Sequence, residues 1–205
     1  MPAQTMTYPA LARRVRALPP SCGPVRVVAV DGPSGAGKST LADRLADALG
    51  HAPVVASDHF PVPWDGDPLA WWQPVVDHVL TPLAAHRPGG YRPYDWHRGA
   101  YLARIEIPVT PVLIVEGVGA AWREAPAAYR IWVDAPADVR RTRVLDRDGG
   151  AVAPAWDRWR AREREHFAAD RTQDRADLHL DGAPAIPLDP RREFALLPVP
   201  PPPPR

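Results

Sequence analysis

Cysteine and lysine each occur once among the 205 residues, at Cys22 and Lys38, and asparagine does not occur at all. A single cysteine excludes an internal disulfide and, with no cysteine–histidine cluster beside it, leaves nothing for a zinc site. A reducing, cytoplasmic setting is therefore expected. No run approaches ~18 uninterrupted apolar residues, and residues 1–15 lack the apolar core of an export signal. Neither sign of charge dominates: 25 basic residues face 24 acidic ones for a net charge of +1, which gives no general field for nucleic acid or for a membrane. Isoleucine, phenylalanine and tyrosine are also sparse, as GC-rich coding would make them. Against that bias, the one position that keeps a lysine is expected to need its compact ammonium.

What is present describes one globular domain, with 45% hydrophobic and 24% charged residues. Residues 7–18 place Tyr8, Leu11, Ala12, Val15 and Leu18 at helical spacing before Pro19 and Pro20 stop the pattern. This predicts a docking helix in an N-terminal segment, 1–24. Residues 25–31 form a nearly continuous apolar strand, 32–37 a glycine-rich turn, and 38–49 a helix ended by Gly50. Further strands are predicted at 53–56, at 112–117 around Glu116, at 129–136 around Asp134, and at 176–182. Helices are predicted at 137–148 and 154–170, with Gly149 and Gly150 between them. Strands alternating with helices across 25–182 predict an α/β domain with a doubly wound parallel sheet and helices on both faces. Residues 61–104, rich in proline, tryptophan, tyrosine, aspartate and arginine with a helix expected at 68–85, look like an insertion lining a site. Residues 183–205 form a C-terminal extension whose prolines at 200–204 predict a polyproline II tail.

The turn carries chemistry. Gly32, Pro33, Ser34, Gly35, Ala36, Gly37, Lys38 and Ser39 fit G-x-x-x-x-G-K-[ST], and the segment follows a buried strand and opens a helix, the context this motif requires. Glycines leave backbone N–H groups free to wrap a polyphosphate, and the helix N-terminus adds partial positive charge. Lys38 is placed to reach the β and γ phosphates and Ser39 to hold Mg²⁺, with Thr40 beside them in the first helical turn. A regulatory GTPase is disfavoured, because its guanine-reading Asn-Lys-x-Asp or Thr-Lys-x-Asp segment needs a second lysine. A protein-kinase catalytic loop needs an asparagine, and none of Gln4, Gln73 or Gln173 sits in the Ser-Gly-Gly-Gln signature of a transporter ATPase. A compact kinase for a small molecule remains.

Five further motifs follow in order. These are Ser57-Asp58-His59-Phe60 after the second strand, Tyr91-Arg92-Pro93-Tyr94-Asp95-Trp96 in the insertion, Val115-Glu116-Gly117 at a strand end, the arginine-rich stretch from Arg140 to Asp148, and Ala176-Asp177-Leu178. Together with the cradle they resemble the uridine kinase group of P-loop kinases, whose neighbours include phosphoribulokinase and pantothenate kinase. Pro61 stands where that group has a tyrosine. The resemblance implies a P-loop fold with an arginine-rich lid over 137–153. It also implies that Asp58 takes the proton from an attacking sugar hydroxyl, and that Glu116 binds Mg²⁺ directly or through water.

Arg140, Arg143 and Arg147 share one helical face, from which Arg143 is expected on ATP and Arg147 on the transferred phosphoryl group. Asp134 is read as a cap of that helix. Asp58 has the competing reading of a helix cap, and Glu116 that of a solvated strand end. Carboxylates and aromatic faces suit a nucleoside, so Asp58, His59, Asp65, Tyr94 and Asp95 are the candidate substrate residues. Trp71 and Trp72 read as core, and Trp156, Trp159, Glu163 and Phe167 as one packing face of the last helix. The expected function is an ATP- and Mg²⁺-dependent transfer to a hydroxyl of a small molecule, a uridine- or cytidine-like nucleoside first. Another polyol or a pantothenate-like alcohol, or an inactive nucleotide-binding protein, stands as the alternative. No nucleic-acid or membrane partner is expected, and a homo-oligomer stays open.

Overall fold

Apolar strand residues alternate between the two faces of a sheet, and that alternation decides which helices cover each side. The computed structural model describes residues 4–197, so the expected polyproline tail lies outside the described residues. The chain runs through β1 (Thr5–Thr7), α1 (Tyr8–Arg16), β2 (Arg26–Asp31), α2 (Lys38–Ala48) and β3 (Val54–Ala56). Two short helices follow, α3 (Trp72–Val75) and α4 (Thr81–Ala84), joined by a π turn at Val76–Leu80. Then come β4 (Gly89–Tyr91), β5 (Tyr94–Asp95), β6 (Ala100–Tyr101), β7 (Ile105–Ile107), β8 (Val112–Glu116), β9 (Tyr129–Asp134), α5 (Ala137–Asp148), α6 (Ala153–Asp170), β10 (Leu178–Asp181) and β11 (Glu193–Leu196).

Seven strands form the main sheet in the order β1-β11-β10-β9-β2-β8-β3. From β10 to β3 every neighbouring pair is parallel, while β1 and β11 pair antiparallel at one edge. Val28, Val30, Ile114, Ile131 and Val133 turn to the face covered by α1 and α2. Val27, Val55, Leu113 and Val115 turn to the other, under Phe60, Trp71, Trp72 and the helices of the insertion. The strand β2 lies between β8 and β9, so the loop after it opens where successive connections depart to opposite sides. Open α/β sheets keep their ligand crevice at such a point.

The sheet differs from the sequence reading at its edge. The segments 1–24 and 183–205 each contribute a strand, with Met6 opposite Phe194 and Leu180 opposite Leu196. A three-residue strand and a four-residue strand are too short to show a period, which is why neither was expected. Helix α1 is as read: the Thr7 side chain accepts from Ala10 N at 3.3 Å, and Arg13, Arg14 and Arg16 fill the last turn, where positive charge is favoured. The helix expected at 68–85 starts later and is not uniform. Pro82 has no N–H to donate, and the helix widens into its π turn just before it. Trp71 and Trp72 are buried as expected, and their indole N–H groups donate to Val118 O at 3.1 Å and to Gly119 O at 2.8 Å. The rest of the insertion forms the antiparallel ribbon β5 with β6 and the strand β4, which pairs antiparallel with β7 just beyond the expected boundary at 104.

Candidate active site

The glycine-rich turn is shaped by close backbone approaches. Gly35 has φ +79°, and a Cβ there would come within 2.6 Å of Arg140 O at the start of α5. Gly37, at φ 106°, precedes α2 with no side-chain cap. The first N–H groups of that helix therefore point into the turn without an acceptor from the helix. Lys38 Nζ folds back on the loop and donates to Pro33 O at 3.1 Å.

Parallel pairing brings the acidic residues beside this cradle. Glu116, the last residue of β8, lies opposite both Val30 of β2 and Ala56 of β3. It therefore sits between the strand that feeds the cradle and the strand that feeds Asp58. The Ser39 hydroxyl donates to Glu116 Oε1 at 3.0 Å. Glu116 is buried, and burial pushes its pKa up to about 7 against the pull of the Lys38 ammonium, with Asp58 adding to the rise. It is not a solvated strand end. Asp58 lies in the 3₁₀ turn Ser57–His59, makes no cap hydrogen bond there, and leaves its side chain 71% exposed. The cap reading of Asp58 is thereby excluded. Its backbone is held instead by the Trp96 indole, which donates to Asp58 O at 2.7 Å.

From the other side comes α5. Arg147 Nη1 stands 3.8 Å from Asp58 Oδ2 while its guanidinium grips Asp148 at 2.7 and 2.8 Å. Arg143 donates to Gly35 O at 3.2 Å and to Gly182 O at 2.9 Å, which lays it across the cradle. Arg140 serves a different end, donating to Ala135 O at 3.0 Å near Asp134. Asp134 does not cap α5: its carboxylate accepts from the next amide, Ala135 N, and no side chain caps that helix.

The residues expected to line the substrate are only partly gathered. His59 Nδ1 and Tyr91 Oη share a hydrogen bond of 2.6 Å next to Asp58, and burial lowers the His59 pKa. Tyr94 packs edge-on against Trp96 at 5.2 Å between ring centroids, so it supports the indole that holds Asp58. Asp95 is spent on its own turn, accepting from His97 N at 2.9 Å and Arg98 N at 3.0 Å. Asp65 lines a separate cavity of about 380 Å³ with Asp67, Arg162 and His166. The structure does not bring it to Asp58.

Three residues of the neighbourhood escaped the sequence reading. Asp31, fully buried, accepts from Gly32 N at 2.7 Å, Gly119 N at 3.0 Å and Ala121 N at 2.8 Å, bracing the start of the cradle. Burial outweighs those three donors and raises its pKa to about 6. An acid closing an otherwise apolar strand was the available signal. Glu163 and Trp159 are not mere packing on α6, since both bond to Ser34 of the cradle. Phe167, by contrast, packs edge-on against Trp132 at 4.7 Å, and Trp156 is fully buried, as expected of a packing face.

Fold and cradle together define a P-loop nucleotide-binding protein. No family model matches the chain. The cytidylate kinase of Haloquadratum walsbyi is 31% identical over 155 residues, covering 75% of this chain and 74% of the relative. That of Natronomonas pharaonis is 30% identical over 170 residues, covering 77% and 81%. Among solved structures, a possible uridine kinase from Bacillus stearothermophilus aligns with a TM-score of 0.59 at 17% identity, over 82% of this chain and 94% of its own. The chain belongs to the family of P-loop kinases represented by these cytidylate kinases, and its fold is of the uridine kinase-like type. Among the described residues, no helix is long and apolar enough to cross a membrane.

Proposed function

We propose that this kinase transfers the γ phosphate of ATP to a hydroxyl of a nucleoside, uridine- or cytidine-like. One observation carries the hydroxyl: the exposed Asp58 carboxylate stands 3.8 Å from Arg147 of α5, while three of the four arginines of the insertion bond within it. Arg92 donates to Leu102 O at 2.9 Å and Tyr101 O at 3.3 Å, Arg104 donates to Gly90 O at 3.2 Å, and Arg98 lies 3.6 Å from Asp95. A phosphate acceptor is a dianion and needs free cations, whereas a neutral hydroxyl needs a base. Asp58 would take the proton of the attacking hydroxyl. Lys38 and the cradle amides would hold the donor phosphates, with Arg143 on the nucleotide and Arg147 on the moving phosphoryl group.

The donor set also fits Mg²⁺. Ser39 Oγ and Glu116 Oε1 are hard oxygens 3.0 Å apart. Among the described residues no cluster of three or more His, Cys, Asp or Glu side chains is gathered for a metal. Mg²⁺ needs none, because it keeps several waters and binds phosphate oxygens. It would supply charge neutralisation between the donor phosphates.

A second reading rests on the relatives: both are named cytidylate kinases, and a nucleoside monophosphate would then be the acceptor. ATP consumption with cytidine and uridine, measured against their 5′-monophosphates, separates the two. Faster turnover of the nucleosides is expected. Preference for the monophosphates would replace the hydroxyl with a phosphate acceptor.

A further inference from the structure

The residue after the proline of the cradle is tied down from behind. Ser34 N donates to Glu163 Oε1 at 2.8 Å, and the Ser34 hydroxyl donates to the same oxygen. Trp159 Nε1 in turn donates to Ser34 Oγ at 2.9 Å. The three groups form a closed relay, indole to hydroxyl to carboxyl, in which each has a partner. Glu163 is only 2% exposed, and within α6 it follows Trp159 by one helical turn. It also walls a cavity of about 550 Å³ beside Pro33, together with Arg140, Arg160 and Arg164. Here the carboxyl stops one residue short of Gly35, and the amides from Gly37 into α2 stay free for phosphate.

We infer that Glu163 is a positioning residue for ATP: acting through Ser34, it fixes the first half of the phosphate cradle and joins it to the helix that follows the lid. The other contacts on the loop agree with that division. Gly32 N is held by Asp31 and Gly35 O by Arg143, so Glu163 supplies the anchor between them. Helix α6 follows α5 through Gly149 and the 3₁₀ turn Gly150–Val152, so the anchor from α6 and the Arg143 contact from α5 hold the loop from two successive helices. This inference rests on the reading of residues 32–39 as the ATP cradle.

The test is calorimetric titration of the full chain with Mg·ATP, alongside thermal melts. Glu163→Ala removes the acceptor, and its Kd for ATP is expected to rise about tenfold or more, the scale of a buried hydrogen-bond pair. Glu163→Gln keeps an acceptor oxygen for Ser34 and is expected to restore Kd to within about threefold of the parent. A merely structural role would lower the melting temperature in both variants and leave Kd alone, which would overturn the inference. Should Glu163→Ala fail to fold, Glu163→Asp draws the carboxylate back from both Ser34 donors without removing the buried acid. A raised Kd supports the inference, and an unchanged Kd overturns it. If the parent chain itself does not bind Mg·ATP, the cradle reading falls first.

Discussion

Asp58 is the residue on which the proposed transfer depends, and its surroundings make a clean test possible. Its side chain is 71% exposed and caps nothing, so Asp58→Asn removes a base together with the 3.8 Å ion pair to Arg147 but no hydrogen bond of the fold. We expect ATP affinity to be kept and turnover to fall by at least ~100-fold, measured as kcat with the nucleoside acceptor. Unchanged turnover would remove Asp58 from the chemistry. Asp31 makes the opposite case, a buried acid whose work is structural. With its native pKa at about 6 against 3.8 for the free group, it holds its proton more tightly in the folded chain. Its contribution to stability is therefore fully present below pH ~4 and is lost as the pH climbs through ~6. In urea melts at pH 4, 5, 6 and 7, the destabilisation by Asp31→Asn should shrink as pH rises, by on the order of 3 kcal/mol across that window. A pH-independent difference would show that the amide donors keep Asp31 ionised throughout.

At the scale of elements, the cradle and α5 were legible in the sequence, but their mutual contact was not. Gly35 must be glycine for a reason the motif alone does not state: the backbone of Arg140 lies where a Cβ would stand. Gly35→Ala combines a left-handed φ with that clash, so we expect the Kd for Mg·ATP to rise at least ~10-fold by titration. The insertion was recognised by composition, yet composition did not say which of its acids was free. Asp95 satisfies two amides of its own turn and Asp65 faces a separate cavity, because short loops use aspartate for Asx turns as readily as for ligands. Trp96, bonded to Asp58 O, and Tyr91, bonded to His59, tie the insertion to the turn that carries Asp58.

Across the whole molecule, the five parallel strands carry the crevice, and the antiparallel pair β1 and β11 completes the edge beyond β10. The two segments expected to be peripheral are thus built into the sheet. Tyr8 and Phe194 meet at 5.2 Å between ring centroids, both buried, where α1 leaves β1. Phe194→Ala should cost about 3–5 kcal/mol in urea melts, the range for an aromatic removed from a core. Its Kd for Mg·ATP should not change, because that edge is remote from β2 in the strand order. A large loss of ATP binding without loss of stability would mean that the edge shapes the crevice.

The sequence by itself determined the strand–loop–helix cradle, the placement of Asp58 and Glu116 at strand ends, and the arginine-bearing helix. Each is encoded locally, by a period, a glycine or a charge within a few residues of its neighbours. Only the tertiary structure decided that Glu163 reaches Ser34 across 129 residues and that Arg143 reaches Gly35 across 108. It also decided that Thr5–Thr7 pairs with a strand near the other end of the chain. Such contacts leave no periodic trace, because a buried glutamate on a helix and a solvated one occupy the same kind of sequence. What separates them is the partner that the sheet order brings within hydrogen-bond reach.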